Sequence, residues 1–175
     1  MTRALRFTPL LLLLLVVGAL TWRLTTPADT AVPSRMTGQP VPTFDLAPLV
    51  VGKPGLVSAD LASGKPRLLN IFASWCVPCI AEVKVLDGLR RRGVEIDGIA
   101  VRDRPQAVAQ FLARNGDPYA RIGGDSESRL QISLGSSGVP ESFVVDGRGI
   151  VRYQHIGPIE AADVPVILAQ LEQVR

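Results

Sequence analysis

The feature that most constrains this chain is a pair of cysteines at the junction of a strand and a helix. Cys76 and Cys79 are its only cysteines, and they follow Leu68–Ser74, an apolar run typical of a central strand. Apolar residues then recur at three-residue steps, as in an amphipathic helix, at Ile80, Val83, Leu86 and Leu89. A strand followed directly by a helix is the basic unit of an α/β fold.

The position of the cysteines indicates redox chemistry. The first backbone N–H groups of a helix have no intrahelical partner, and their partial positive charge stabilises a thiolate at Cys76. Two intervening residues place Cys79 within one helical turn, close enough to attack a mixed disulfide formed by Cys76. We therefore expect a redox-active disulfide between Cys76 and Cys79.

Two other uses of the cysteines stay open at this level. A purely structural disulfide would close a short loop and remove little chain entropy from the unfolded state. A structural zinc site needs four ligands, and His155 is the only further soft donor, so copper held by Cys76, Cys79 and His155 fits better. The favoured interpretation is redox chemistry without a metal or a cofactor.

The rest of the body alternates between strand and helix patterns. Val41–Leu49 is predicted to open an irregular hairpin. Further strands are predicted at Val94–Val101, Tyr119–Ile122, Ser142–Val145 and Ile150–His155. Further helices are predicted at Pro105–Asn115, Ser126–Leu134 and Pro158–Val174. This order favours a mixed sheet with helices on both faces.

The N-terminal segment has the pattern of a membrane anchor. Between Arg6 and Arg23 lie 16 uncharged residues, a run that spans a ~30 Å hydrocarbon core only with help from its flanks. The basic start predicts that the N-terminus stays inside the cell and the body outside. A signal peptide cleaved after Ala19 is the alternative. We expect an anchor over residues 1–23, a linker over 24–39 and one folded domain over 40–175.

The charge distribution argues against nucleic acid as a partner. The chain has 19 Lys and Arg against 16 Asp and Glu, and the excess equals the three arginines that flank the apolar run. The remaining body is neutral, so it lacks the basic surface that nucleic-acid binding requires. The sequence also contains no glycine-rich phosphate-binding motif.

A second group of residues, Gly138-Val139-Pro140-Glu141, lies just before a predicted strand. Pro140 either begins that strand or forms a cis peptide bond beside the active site, and the spacing alone does not decide between them.

Together these motifs resemble the thioredoxin fold, and in particular the CcmG/DsbE family of membrane-anchored periplasmic thiol:disulfide reductases of bacterial cytochrome c biogenesis. The resemblance covers about residues 38–175, although Val101–Arg104 departs from the family's charge pattern. It rests on the runs Leu69–Cys76, Asn115–Tyr119, Gly138–Asp146 and Gly149–Gly157. It implies a thioredoxin-like α/β fold, with a central mixed sheet flanked by helices and an N-terminal membrane anchor.

The resemblance also implies roles for single residues. Cys76 is expected to be the nucleophile, Cys79 the resolving thiol, and Pro140 the cis-proline that shapes the substrate groove opposite them. The other residues expected to support the groove and the active site are Trp75, Pro78 and Val139.

An acid–base residue is also expected near the cysteines. Typical thioredoxins carry a buried carboxylate six residues before the first cysteine, and this chain has Asn70 there. Glu82 and Glu141, the acidic residue characteristic of the family at its loop, are therefore the candidates for this role. The alternative for Glu82 is an exposed helix carboxylate.

By resemblance, the protein reduces the CxxCH disulfide of apocytochrome c, or of a haem-lyase or chaperone complex that holds it. A transmembrane thiol reductant of DsbD or CcdA type would restore its thiols. The chain would cross the bacterial inner membrane once, with its domain in the periplasm. One alternative is a general envelope disulfide reductase or a reductase of copper-site thiols. Another is a redox-inert docking module for cytochrome assembly.

Overall fold

The body of the chain is built from strands and helices arranged around one sheet. The computed structural model describes residues 4–25 and 35–174. The strands are β1 (Asp45–Leu46), β2 (Leu56–Val57), β3 (Arg67–Phe72), β4 (Ile96–Val101), β5 (Arg121–Asp125), β6 (Glu141–Val145) and β7 (Val151–Ile156). The helices are α1 (Ala4–Thr25), α2 (Ser58–Leu61), α3 (Val77–Arg91), α4 (Pro105–Asn115), α5 (Arg129–Ser133) and α6 (Val164–Gln173).

The five longer strands form a mixed sheet in the order β5-β4-β3-β6-β7. The central strand β3 is parallel to β4 and antiparallel to β6. Helices α3 and α4 contact each other, and α6 contacts β6. The predicted thioredoxin-like arrangement, a mixed sheet flanked by helices, is therefore confirmed. The expected N-terminal hairpin is present as the antiparallel pair β1 and β2.

The central strands are covered on both faces. Every residue of β3 is buried, and so is every residue of β4. Because successive side chains of a strand point to opposite faces, this pattern requires packed layers above and below the sheet. The chain leaves this rigid layer at Phe72 and reaches Cys76 four residues later, so the cysteines are held at the end of the best-packed strand.

Helix α3 buries a different set of residues from the one predicted. Its buried face consists of Cys79, Glu82, Val83, Leu86 and Leu89, whereas Ile80 is 42% exposed. A step of three residues falls about 60° short of a full helical turn, so three such steps add up to half a turn. Ile80 and Leu89 therefore lie on opposite sides of the helix, and the prediction that both face the core was wrong for Ile80.

The last helix begins later than predicted. The sequence pattern predicts a helix from Pro158, but α6 begins at Val164, with Pro165 in its first turn. A proline disfavours helical geometry in the residue before it, which favours a helix start at this point. The preceding segment has another use, because the backbone N–H of Ile159 donates to the carboxylate of Glu82.

The region between β5 and α5 also differs from the prediction. The strand continues to Asp125 instead of ending at Ile122, and the helix begins at Arg129 instead of Ser126. Two backbone N–H groups, of Arg129 and Gln131, donate to the Asp125 carboxylate at 2.9 Å each. The carboxylate thus satisfies free donors at the helix start, in the manner of a cap, and fixes where α5 begins.

The N-terminal part of the chain forms a unit of its own. It contains α1, which includes most of the predicted anchor. Among the described residues, the structure has no helix that combines the length and the apolarity needed to cross a membrane. The first three residues of the predicted anchor and residues 26–34 of the predicted linker lie outside the described part of the chain.

A glycine in β4 leaves room for two stacked rings. A Cβ at Gly98 would lie 2.8 Å from Phe72 and 2.9 Å from Tyr119, whose rings stack at 4.6 Å. We expect Gly98→Ala to lower the free energy of unfolding by about 1–3 kcal/mol through overpacking. Gly88→Ala is the matched control, because a Cβ there meets nothing within 4 Å and alanine favours the helix by about 0.5–1 kcal/mol. Urea unfolding measures the free energy of unfolding of both variants. An unchanged value for Gly98→Ala would contradict the expectation.

Candidate active site

The two cysteines form a disulfide at the start of α3. Cys76 and Cys79 are bonded, with their Cα atoms 5.3 Å apart. Cys76 is the N-cap residue of the helix, and its Sγ accepts a hydrogen bond from the backbone N–H of Cys79 at 3.2 Å. The same N–H can stabilise a thiolate on Cys76 once the disulfide is opened. The helix start therefore provides the electrostatic setting that the sequence predicted for the attacking sulfur.

The disulfide is buried, and exposed apolar side chains border it. Cys76 is 4% exposed and Cys79 2%, whereas Trp75 is 58% exposed and Val77 74%. Pro78 is exposed as well. Exposed apolar groups concentrated around a reactive bond are typical of a surface that docks a protein substrate. The structure thus places Trp75 and Pro78 where groove residues were expected.

A cis-proline loop lies at the end of the sheet from which the cysteines follow. The Val139–Pro140 peptide bond is cis, and β6 begins directly after it, where Glu141 pairs with Ile71 of the central strand. Val139 and Trp75 line one groove with a volume of about 280 Å³. Pairing of β6 with β3 therefore brings the two sequence-predicted groups together, although about sixty residues separate them along the chain.

Glu82 is buried one helical turn after Cys79. It is only 1% exposed, so the alternative of an exposed helix carboxylate was wrong. Residues three apart on a helix are neighbours on one face, which places this carboxylate beside Cys79. Burial raises the pKa of Glu82 from 4.5 to about 7, opposed by hydrogen bonds from the Ile159 N–H and the Asn70 amide. A carboxyl group with this pKa can take up and release a proton near neutral pH.

The polar partners of Glu82 come from distant parts of the chain. Asn70 Nδ2 lies 3.4 Å from Glu82 Oε1 and 2.9 Å from Ser142 Oγ. The Tyr119 hydroxyl donates to Asn70 Oδ1 at 2.8 Å, and the Ile159 N–H donates to Glu82 Oε1 at 3.2 Å. Sequence reasoning missed Tyr119, Ser142 and Ile159. The available signal was Asn70 itself, because a polar residue within an apolar central strand must find hydrogen-bond partners.

The chain is similar to known proteins over most of its length. The Redoxin family matches residues 36–171. Thiol:disulfide interchange protein HelX of Rhodobacter capsulatus is 39% identical over 159 residues, which cover 91% of this chain and 90% of HelX. Thiol:disulfide interchange protein DsbE of Escherichia coli K12 is 38% identical over 165 residues, covering 91% and 88%.

Solved structures show the same fold. A crystal structure of a Chlorobium tepidum protein described as DsbE matches with a TM-score of 0.65 at 23% identity, covering 79% of this chain and 96% of that one. A thiol:disulfide interchange protein of the thioredoxin family from the same species matches with a TM-score of 0.59 at 31% identity, covering 79% and 97%.

This chain belongs to the DsbE family. It is a thiol:disulfide oxidoreductase with a thioredoxin-like fold, and Cys76–Cys79 is its CxxC-type disulfide.

Within this DsbE-family protein, Glu141 is buried but has different contacts from Glu82. Its Oε2 accepts hydrogen bonds from the Ser137 N–H at 2.8 Å and the Ser136 hydroxyl at 2.9 Å, and Gln154 donates to Oε1. These contacts fasten the loop before the cis-proline to β7. The geometry therefore favours a structural use of Glu141 and leaves Glu82 as the better placed of the two acid–base candidates.

The turn that carries Trp75 is held by Asp103, from the segment whose charge pattern departs from the family. Asp103 Oδ1 accepts from the Ser74 hydroxyl at 2.8 Å, and Oδ2 accepts from the Ser74 N–H. Arg102, which precedes it, has a positive φ of 47°. This conformation turns the chain after β4 and directs Asp103 toward the active-site turn of the DsbE-family protein.

The structure gives no support to the copper alternative. Among the described residues, no group of three or more His, Cys, Asp and Glu side chains is placed to hold a metal ion. His155 Nε2 lies 3.2 Å from the Pro158 carbonyl, and the two cysteines are bonded to each other.

We expect the ionisation of Glu82 to weaken the fold as the pH rises. The pKa of Glu82 is raised from 4.5 to about 7 in the folded chain, so the folded chain holds this proton more tightly than the unfolded chain does. The stability that the protonated carboxyl group contributes is therefore fully present below pH 4.5 and is lost as the pH rises through 7. Relative to Glu82→Gln, the free energy of unfolding should fall by about 3 kcal/mol between about pH 4 and about pH 8. Urea unfolding of both oxidised proteins tests this, and parallel pH profiles would contradict it.

Proposed function

We propose that this protein is a disulfide reductase for the oxidised CxxCH motif of apocytochrome c, or for a haem-lyase or chaperone complex that holds it. The observation that carries the proposal is the cysteine pair within its apolar rim, in a chain of the DsbE family. A partly recessed disulfide bordered by Trp75, Val77 and Pro78 suits an extended protein segment better than a small thiol. Val139 and Pro140 would form the opposite wall of the groove.

In the proposed reaction, the Cys76 thiolate attacks one sulfur of the substrate disulfide. A Cys76–substrate bond forms, and the other substrate sulfur leaves as a thiolate. Cys79 then passes its proton to Glu82 and attacks Cys76 Sγ, which breaks the mixed disulfide and releases the second substrate thiolate. Two electrons move from the protein to the substrate, and the Cys76–Cys79 disulfide seen in the structure is the product.

The division of labour between the cysteines follows from their surroundings. Cys76 has the helix N–H groups to stabilise its thiolate, so it needs no side-chain base. Cys79 is buried and lies within the helix, where a thiolate is disfavoured by desolvation. A proton acceptor with a pKa near 7, one turn away, removes that obstacle. We assign this role to Glu82.

The cycle requires a source of electrons and a location. We propose that a transmembrane thiol carrier of DsbD or CcdA type reduces Cys76–Cys79 again, since the envelope is oxidising.

We also propose that the N-terminal segment crosses the bacterial inner membrane once, with the domain in the periplasm. The support is the uncharged run between Arg6 and Arg23 with its basic N-terminal flank. Retention of the full chain in carbonate-washed membranes tests the anchor, and release into the wash contradicts it.

Replacement of the resolving cysteine should trap the substrate. In Cys79→Ser, the mixed disulfide on Cys76 cannot be resolved, so we expect covalent adducts in cells that disappear on addition of reductant. Cys76→Ser is the matched control and should form none. Apocytochrome c, or its haem-lyase or chaperone complex, is the expected adduct. Adducts with other envelope proteins or with copper-site proteins would instead favour a general reductase. If cytochrome assembly survives in the double variant Cys76→Ala/Cys79→Ala, a redox-inert docking module is favoured.

The reduction potential of the Cys76–Cys79 couple tests the direction of electron flow. We expect a value between about −270 mV and about −200 mV, the range of thioredoxin and the glutaredoxins, after equilibration in defined thiol buffers. A value near −120 mV, that of a strong oxidant, would mean that the protein introduces disulfides and would contradict the proposal.

A further inference from the structure

The amide of Asn70 is surrounded by partners that use each of its polar atoms. Its Oδ1 accepts from the Tyr119 hydroxyl at 2.8 Å, and its Nδ2 donates to Ser142 Oγ at 2.9 Å and lies 3.4 Å and 3.5 Å from the two oxygens of Glu82. Asn70, Ser142 and Tyr119 are all buried. The protein itself thus supplies partners for both polar atoms of the Asn70 amide.

We propose that Tyr119 is a positioning residue for Glu82, and that its hydroxyl fixes Asn70 so that the amide N–H group faces the carboxylate. In the described part of the chain no hydrogen bond joins Tyr119 to Glu82 directly, and the hydrogen-bonded path between them runs through Asn70. The inference rests on the proposed role of Glu82 as the proton acceptor for Cys79 and extends it to the residue that sets the acceptor's environment.

Tyr119 is itself held firmly. Its ring stacks on Phe72 at 4.6 Å, and Gly98 leaves the space that both rings occupy. Its backbone N–H donates to Asp117 Oδ1 at 3.2 Å, and the Lys53 ammonium donates to its carbonyl oxygen. Burial also raises the pKa of Tyr119, so its hydroxyl keeps its proton and remains a donor wherever Glu82 titrates. The ring therefore presents the same O–H group in both charge states of Glu82.

Rotation of the Asn70 amide by half a turn would direct Oδ1 at Glu82 and place two acceptors against each other once Glu82 is ionised. The Tyr119 hydroxyl donates to Asn70 Oδ1 and so favours the observed orientation, in which Nδ2 faces Glu82. Asn70 from β3 and the Ile159 N–H donate to Glu82, and Cys79 precedes it by one turn on α3. Tyr119 and Ser142 are hydrogen-bonded to Asn70. Within the described residues, no ion pair involves Glu82. Its ionised form therefore depends on the few neutral donors that the network supplies.

The test is Tyr119→Phe in the full chain, which keeps the stacked ring and removes only the hydroxyl. We expect the pKa of Glu82, followed by NMR of its labelled side-chain carboxyl carbon, to rise by about one pH unit, because the ionised form loses an oriented donor. The chain has one other tyrosine, Tyr153, so Tyr153→Phe is the matched control and should leave this pKa unchanged.

A kinetic measurement links this pKa to the reaction. Reduced protein is mixed with an aromatic disulfide that releases a coloured thiolate; the first equivalent leaves when Cys76 attacks, and the second leaves when Cys79 closes the Cys76–Cys79 disulfide. The pH midpoint of the second phase should move upward with the pKa of Glu82 in Tyr119→Phe. A moved pKa with an unmoved midpoint would support the positioning by Tyr119 while rejecting Glu82 as the proton acceptor.

A double-mutant cycle excludes a general loosening of the core. Asn70→Ala should raise the pKa of Glu82 to a similar extent, and Tyr119→Phe added to it should cause no further change, because Tyr119 acts through Asn70. Additive effects, or a folded Tyr119→Phe protein in which the pKa of Glu82 stays unchanged, would overturn the proposal.

Discussion

The burial of one carboxylate, Glu82, organises the end of the sheet where the cysteines lie. An ionised carboxylate inside a protein requires donors, because the water that would otherwise solvate it is excluded. The donors reach Glu82 from the central strand, through Asn70, and from the chain before α6, through the Ile159 N–H. The chain before α6 therefore contributes to the environment of the carboxylate that follows Cys79 by one helical turn.

The arrangement of the sheet explains why chemistry can occur at this end of the molecule. β3 is buried on both faces and paired on both edges, so its end is a fixed point from which Cys76 and α3 project. Pairing with β6 brings the cis-proline loop to the same end. The two cysteines are both buried and differ in their place on the helix: Cys76 is its N-cap, and Cys79 lies one turn before Glu82. In the proposed reaction, this difference in position distinguishes the nucleophile from the resolving thiol.

The sequence was sufficient for the parts of the fold that depend on local pattern. The strand before the cysteines, the start of α3 and the mixed sheet follow from apolar periodicity and from the placement of Cys76 and Cys79. The environment of Glu82 does not, because its network joins Asn70 to residues 12, 49 and 72 positions away, and Ile159 to Glu82 across 77. Simple periodicity also failed at Ile80, where a three-residue repeat drifts around the helix.

Glu141 and Glu82 are both buried, so the two carboxylates differ in the donors around them and not in their burial. Glu141 receives hydrogen bonds from a backbone N–H, two serine hydroxyls and an amide, so both of its oxygens are committed to the loop it holds. Glu82 has two sources of donors, and the side-chain one is long at 3.4 Å. A carboxylate with spare acceptor capacity beside a buried thiol can exchange a proton without dismantling the structure around it.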